Sequence, residues 1–583
     1  MPARRRRQFG HRRAARARRP GRRRRAPPAR LRLTAVAVDE RPEASVTDTD
    51  GLRWRARSAG SGAAYLDADE PPSAALALRL AQRRAALWPS RPRSTYDLLP
   101  AYGGLLAEFR AGADAAEVLR WLTTPLAAPR SGARDDESDG AATVPGPRHH
   151  ELAVRYGDRA DREALERATG RPWQALVDAH AGANYTVAFI GFTPGFPYLY
   201  GLPEVLALPR RERPEARVPA GAVAVADGQA GIYPSASPGG WWVLGTTEAR
   251  LFDPSRAAPT LLAGGDTLRF VPLPDGAPFE DPQEGDDAPL ASDDAVLRVD
   301  EVWTGAASLQ SMPRWGVAHH GMAQSGALDP LAFAAALEIV GAPRRAAALE
   351  LIVPRARFTL ERATTLAVTG GGARLFVDGA EAATWRPHAL VAGAHVALRP
   401  AAGGSGSTSV LAVAGGFRWP WPERVHPDLS AVPSTDARAG IGRPLRAGDR
   451  LAADGPAGTP RAWIGRPRYG GRAYLRVYPG PQATADAWGA LVGTSWRLEA
   501  RDRTGARLDG PPLRLERHDV RSQGVPRGAV QVAGDGQPLV LLADRGRTGG
   551  YAVPAVVDPR DLWQLAQAGP GTEVWFMPAR LRS

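Results

Sequence analysis

The densest run of chemically constrained residues is Gly191–Leu202, GFTPGFPYLYGL. Glycine permits positive φ and close backbone approach, proline freezes φ, and the aromatic rings between them offer flat, stackable faces. Two uses fit the pattern equally: a rigid loop facing a ligand, or a tight turn carrying an apolar plug. His180 stands upstream at the end of a helical segment, where a protonated imidazole complements the helix dipole. The other role open to it is a general acid or base facing the loop. Downstream, Val218–Tyr233 (VPAGAVAVADGQAGIY) reads as a strand between glycine turns, with Gln229 and Tyr233 at its far end. Gly239-Gly240 beside Trp241-Trp242 either offers backbone N–H groups to an anion or makes a barrel corner.

Further along, Asp329 precedes Pro330, an orderly N-cap followed by proline at the first helical position. Glu350, after an alanine run, reads as a paired acid at a helix end. His319-His320 lacks the spacing of a metal-binding histidine pair. Arg503, Gly505, Arg507 and Gly510 lie together, followed by Gln531, Asp544 and Thr548-Gly549-Gly550-Tyr551. Arginine forks suit carboxylate or phosphate, and a solvated arginine face is the alternative. No GxGxxG and no Gly-x-Ser-x-Gly elbow occurs.

A β-rich, multi-domain body must position these residues. With 583 residues, 44% apolar and 23% charged, the chain has length for about three to five domains. Residues 31–130 read as a small α+β lobe with helices over Ser73–Leu87 and Ala115–Leu122. Residues 131–149 form a polar, Gly/Pro-rich linker. From 150 to 273, a strand at Glu151–Tyr156 and helices at Arg162–Thr169 and Trp173–Ala181 precede short apolar runs between turns. Those runs, Thr186–Phe192, Ala222–Ala226, Trp241–Gly245 and Asp266–Val271, argue a barrel or sandwich. An acidic linker covers 274–294. Residues 295–583 repeat that texture around one helix, Pro330–Val340, with a break near 454–460 that suggests two lobes. No fixed-period internal repeat is evident.

Lys+Arg of 75 against Asp+Glu of 61 gives +14, but residues 1–30 hold 14 arginines and no acid, so residues 31–583 balance at 61 and 61. The charge belongs to an arginine-rich tail expected to be disordered, and nucleic acid is an expected partner only through that tail. Deleting Met1–Arg30 is expected to leave any activity intact. Cysteine is absent, and every one of the 75 basic residues is arginine. Disulfides, thiolate nucleophiles, Schiff bases, a Walker-type phosphate loop and biotin attachment to this chain are thereby excluded. Leu31–Val38 reads as a first strand rather than a signal h-region, and no run suits a membrane span. A cytoplasmic location is expected, and oligomerisation stays open.

The strings GFTPGFPYLYGL, LPRRERPEARVPAGAVAVADGQAGIYP and SPGGWWVLGTT resemble the carboxyltransferase-like domain of the 5-oxoprolinase B subunit, a domain also found in urea amidolyase and in kinase-inhibitor-type proteins. YDLLPAYGGLLAEF (Tyr96–Phe109) is similar to the N-terminal lobe of the same protein. GVAHHGMAQSGALDPLAF, AVAGGF, GAVQVAGDGQPLVLLADRGRTGGY and the closing DLWQLAQAGPGTEVWF are similar to the C subunit. The resemblance runs over roughly residues 40–580 in order, and reads as a B–C fusion. It implies a mainly β fold with α+β parts, in which the N-terminal lobe is followed by two cyclophilin-like β-barrel units.

The resemblance further implies ATP-dependent opening of 5-oxoproline to glutamate, with magnesium, a small amide or lactam substrate and a separate A-like subunit. The alternatives are biotin-dependent carboxyl transfer to urea or a similar small amide, with biotin on a separate carrier, and a regulatory protein that binds a kinase. Carried over by motif, His180, Gln229, Tyr233 and Asp329 are the catalytic candidates, His180 for proton transfer. Arg217, Gln310, Arg314, Ser325, Glu350, Ser434, Arg507, Gln531, Asp544 and Tyr551 are the substrate or ATP candidates, and Asp436 also falls on a pattern position. No metal ligand is implied. The chain departs from the pattern at Pro214-Glu215, Gly221-Ala222, Gln229-Ala230, Gln310-Ser311, Ala336-Leu337, Gly341-Ala342 and Arg501. Several of these are polar-to-apolar changes expected to face the cleft, which keeps a divergent paralogue in view.

Overall fold

A computed structural model of the protein describes residues 43–580 apart from 127–145, 158–159, 212, 214, 275–288, 304–305, 353, 402–405, 421–433, 437–440 and 457. The arginine-rich tail, the strand expected at Leu31–Val38, Pro214 and most of both linkers lie outside the described residues. Val38–Ser583 forms one compact unit.

The N-terminal lobe is an antiparallel sheet ordered Glu43–Thr47, Arg53–Ser58, Ala63–Ala68, Gly104–Phe109, Thr95–Pro100. Helices α1 (Ala74–Leu87) and α2 (Ala115–Leu122) share its core. Ser73 accepts the Leu76 N–H at 3.1 Å and so starts α1. Leu76, Leu80 and Leu87 then fall on one buried stripe, each contributing about 1.5–3 kcal/mol.

A closed barrel follows. Its cyclic order is His149–Tyr156, Thr267–Pro272, Tyr185–Ile190, Pro197–Tyr200, Gln229–Ile232, Ala222–Ala226, Trp242–Thr246, and back to the first strand. The strands that come first and last along the chain, His149–Tyr156 and Thr267–Pro272, pair in parallel. Helices α3 (Arg162–Thr169) and α4 (Trp173–Ala181) follow the first strand. Val218–Tyr233 is a hairpin rather than the single strand expected. Asp227 (φ 50) and Gly228 (φ 72) supply the two positive-φ positions of a tight turn, and Asp-Gly meets that need.

Ala295–Ala452 builds a six-stranded and a five-stranded sheet around a common apolar core. Helix α5 (Pro330–Ile339) packs outside the five-stranded sheet. Glu350 lies inside the strand Ala348–Ile352, not at a helix end as expected, because the alanine run before it is buried sheet. A second closed barrel spans Arg472–Pro578, with α6 (Ala485–Gly493) after its first strand and α7 (Leu562–Gln567) before its last. Its cyclic order is Arg472–Pro479, Glu573–Pro578, Ser495–Arg501, Gly505–Asp509, Pro538–Leu541, Ala529–Val532, Thr548–Val557, and Asp519–Gly524 flanks it. Counted from each barrel's first strand, the two orders are identical, and again the first and last strands run parallel.

Candidate functional site

The two glycine-rich motifs meet at the junction of the barrels. Phe192, at φ 62, donates its N–H to Thr548 Oγ1 at 2.8 Å. A Cβ on Gly191 would lie 2.4 Å from the same oxygen, so only glycine allows this approach. The second half of Gly191–Leu202 is the strand Pro197–Tyr200, and the turn before it carries the plug. Phe196 meets Tyr233 edge-to-face at 5.2 Å and Trp241 at 5.6 Å. Gly239 is the seat for Tyr233: a Cβ there would lie 2.2 Å from the phenolic oxygen. Gln229 opens the strand below, buried, with its Oε1 lacking a partner. Gln531 lies beside Gly549, where a Cβ would sit 2.6 Å from Nε2. Beside Tyr551, a Cβ on Gly550 would lie 2.5 Å from Nη2 of Arg210, which pairs with Asp227 at 2.8 Å.

Beneath this aromatic wall lies an ionic floor shared by the N-terminal lobe and the second barrel. Glu108 accepts from Arg545 Nη2 at 2.6 Å, from Arg547, and from the Arg527 backbone N–H at 3.0 Å. Gln324 Nε2 bridges Glu108 Oε2 (3.1 Å) and Asp97 Oδ2 (3.3 Å). Burial opposes ionisation of both acids. At Glu108 the two arginines outweigh it and hold the carboxyl below its ordinary range; at Asp97 burial wins over Arg547 and pushes the carboxyl up. Neighbouring carboxyls driven apart in this way suit a division of labour between a proton holder and a standing anion.

Arg503 centres the adjoining cluster. It bonds Asp544 Oδ2 at 2.7 Å, Glu350 Oε2, and the Gly326 carbonyl at 2.7 Å. Burial raises the Glu350 carboxyl while Arg503 opposes the shift. Gln324–Gly326 joins the two clusters, with Ser325 at φ 51 and Gly326 at φ 79. Asp329 caps α5, accepting from Leu331 N–H (3.2 Å) and Ala332 N–H (3.0 Å), and holds Gln567 Nε2 at 2.8 Å with its other oxygen. Ser434 accepts the Ser311 N–H at 2.8 Å, and Gln310 donates to Ser308 at 2.9 Å.

A cleft of about 1350 Å³ opens beside the floor, bounded by the N-terminal lobe, α5 and the second barrel. Glu108, Gln324 and Arg527 form part of its wall, and Trp315 stacks on Tyr96 at 4.0 Å near its rim. The cleft residues fit a nucleoside triphosphate. The stacked rings offer a flat face for a base, and Arg344, Arg345 and Arg527 offer cations, with Arg527 Nε lacking a partner, whereas Arg560 is paired with Asp558 through Nε at 2.9 Å and Nη2 at 2.6 Å. No group of three or more His, Asp or Glu suited to a metal ion occurs among the described residues.

Three candidates stand apart from this junction. His180 is fully buried, stacked on Phe270 at 4.6 Å, and paired through Nδ1 with the Tyr156 hydroxyl at 2.7 Å. Burial drives it down to about 3, so the ring is neutral and packed away from the junction rather than facing the loop. Arg507 is exposed and pairs with Glu499 at 2.9 Å and with Asp535. Its strand alternation turns it to solvent, which makes it a surface ion pair rather than a ligand fork. Arg217 is exposed on a two-stranded ribbon.

The sequence matches the carboxyltransferase domain family twice: subdomains C and D over residues 54–262, and subdomains A and B over residues 320–578. It is similar to the 5-oxoprolinase C subunit of Escherichia coli (strain K12), 32% identical over 293 residues that cover 47% of this chain and 88% of that one. The chain belongs to the carboxyltransferase-domain family of the 5-oxoprolinase B and C subunits. It is also similar to the 5-oxoprolinase B subunit of Escherichia coli O157:H7, 44% identical over 140 residues, 24% of this chain; the match spans 64% of that relative's length. The crystal structure of TTHA0988 superposes with a TM-score of 0.74 at 36% identity, covering 88% of this chain and 99% of that one.

Within this family, several of the chain's departures fall in cores rather than in the cleft. Ala222, Ala230, Ala336 and Leu337 are all 0–1% exposed among apolar neighbours. Gly341-Ala342 does border the cleft. Arg501 ties the second barrel to the sheet unit by donating to Thr408 Oγ1 at 2.7 Å and to Ser407 Oγ, and it also holds the Ala568 carbonyl of its own barrel at 3.1 Å. The junction residues missing from the sequence-derived set are Asp97, Glu108, Gln324, Arg527, Arg545 and Arg547. A signal was present for two of them: Asp97 and Glu108 are lone acids inside apolar strand runs, TYDLLP and GLLAEF. A buried acid needs a partner, and the partners here are arginines far along the chain.

Proposed function

We propose that this chain is the B–C part of an ATP-dependent 5-oxoprolinase, opening 5-oxoproline to glutamate together with a separate A-like subunit. The observation that carries the reading is the single polar junction built jointly by the B-like and C-like halves. Asp97 and Glu108 come from the first, and Gln324, Arg503, Arg545 and Arg547 from the second. ATP, when bound, supplies the phosphoryl group that activates an amide oxygen. Arg527, Arg344 and Arg345, which line the cleft, would hold its phosphates, and a magnesium ion would arrive with those phosphates. Arg527, whose Nε has no partner, would offset negative charge at the reacting amide. In the ring opening, water would supply the oxygen of the new carboxylate as the ring C–N bond breaks, and the phosphoryl group would leave as phosphate. Asp97, protonated more readily than an exposed acid, would give its proton to the departing lactam nitrogen, and Glu108 would stay ionised to fix Arg545 and Arg547. The test is 5-oxoproline-dependent ATP hydrolysis by the chain mixed with an A subunit. Little turnover is expected from the chain alone. A silent mixture beside a working control trio defeats the reading.

A second reading, carboxyl transfer from biotin on a separate carrier to urea or a similar small amide, draws on the carboxyltransferase character of the matched domains. Transfer of label from a carboxylated carrier to the acceptor is the result it requires.

A further inference from the structure

Arg314 is 1% exposed, and its Nε, Nη1 and Nη2 all lack a hydrogen-bond partner. Burial opposes its charge and holds it below the ordinary arginine range; Asp436 and Asp544 favour the charge and Arg503 opposes it. Asp544 is already committed to Arg503, through Nε at 2.7 Å and Nη2 at 3.1 Å. Ser325 adds a second orphan: fully buried, held at φ 51, with its Oγ unpartnered. The backbone fixes the two side by side in the fold. Arg314 donates its backbone N–H to the Gln324 carbonyl at 2.7 Å, and Ser325 donates its own to the Ala543 carbonyl at 3.2 Å, next to Asp544. Gln310, at the end of the strand leading into this segment, has a buried Oε1 without a partner.

A buried guanidinium without hydrogen bonds is strongly destabilising, and a positive φ on serine adds backbone strain. Neither feature helps the fold, and both occur in one place, as expected where a ligand completes the structure. A guanidinium presents paired donors in one plane, which match the two oxygens of a carboxylate or bicarbonate. The serine hydroxyl adds a further donor. Ser311, Met312, Pro313 and Trp315, the residues flanking Arg314, border the cleft, so the buried guanidinium lies on a segment that lines it.

We propose that Arg314 and Ser325 form a site for a small carboxylate-type oxyanion, either the carboxylate of a lactam acid or free bicarbonate. The lactam-acid source rests on the 5-oxoprolinase reading above; the site itself does not.

Isothermal titration calorimetry on the full chain separates the outcomes, with 5-oxoproline, its carboxylate-free analogue 2-pyrrolidinone, and bicarbonate as probes. For a lactam-acid site, 5-oxoproline binds about 10- to 100-fold more tightly than 2-pyrrolidinone, and Arg314→Gln removes that margin. If bicarbonate binds and 5-oxoproline does not, with the same loss in Arg314→Gln, the site stands and its ligand is bicarbonate. Ser325→Ala is expected to weaken the bound probe several-fold, and it decides the matter should Arg314→Gln fail to fold by circular dichroism. Unchanged affinity in the folded variants, or no binding of either oxyanion to the wild-type chain, overturns the proposal. Because no A subunit is present, these results are independent of whether the mixture hydrolyses ATP.

Discussion

The two barrels run their strands in the same cyclic order, yet the loops they bring to the junction carry opposite chemistry. In the first barrel, the turn after the second strand and the stretch after the fifth hold Phe192, Phe196, Tyr233 and Trp241. In the second, the corresponding loops hold Arg503, and then Asp544, Arg545 and Arg547. Aromatic rings fill space and are satisfied mainly by contact with one another, the Tyr233 oxygen finding its partner in the Trp241 backbone of the same wall. Buried arginines are not: they require anions, and Glu108 of the N-terminal lobe supplies one to Arg545 and Arg547. One scaffold therefore gives a self-sufficient wall in one copy and a partner-dependent charged floor in the other.

Breaking the ionic side should cost most. Glu108→Gln leaves two fully buried guanidinium groups short of their counter-charge, and about 3–5 kcal/mol of stability should be lost in urea unfolding. Tyr233→Phe, on the aromatic side, should cost below about 1.5 kcal/mol, and equal losses would erase the contrast. His180 provides a pH test within the first barrel. Its unfolded form takes up a proton near 6.5 and its native form only near 3. Its contribution is therefore fully present above about 6.5 and is lost as pH falls towards 3, by about 1.4 kcal/mol per pH unit. His180→Phe should flatten that slope in acid titrations followed by circular dichroism. Gly239→Ala should lower stability by about 1–3 kcal/mol in the same urea series, since the new methyl group meets the Tyr233 hydroxyl. The smallest effect belongs to Arg507→Ala: about 0–1 kcal/mol in thermal melting, and unchanged turnover with an A subunit.

Much of the scaffold was legible. The helices Arg162–Thr169, Trp173–Ala181 and Ala115–Leu122 coincide with their apolar periodicity, and Asp329 caps α5 as its place before Pro330 implies. The hairpin within Val218–Tyr233 was hidden because its strands are apolar on both faces, although Asp227-Gly228 marks the turn. His180 misled because the end of a helix suggests exposure, whereas the aromatic packing around that end is non-local. Arg507 and Arg503 look alike in the string, and only the strand register tells solvent from junction.

The sequence by itself determined the element types, the balanced body behind a basic tail, and the chemistry closed to a chain without cysteine or lysine. Local periodicity, turn residues and composition are properties of neighbours in the chain, so they can be read along it. Tertiary structure alone decided which charges meet. Glu108 bonds Arg547 across a separation of 439 residues, and no local pattern encodes that pairing. Whether a polar side chain ends as a surface pair, a core hydrogen bond or an orphan such as Arg314 depends on which distant segment excludes water from it.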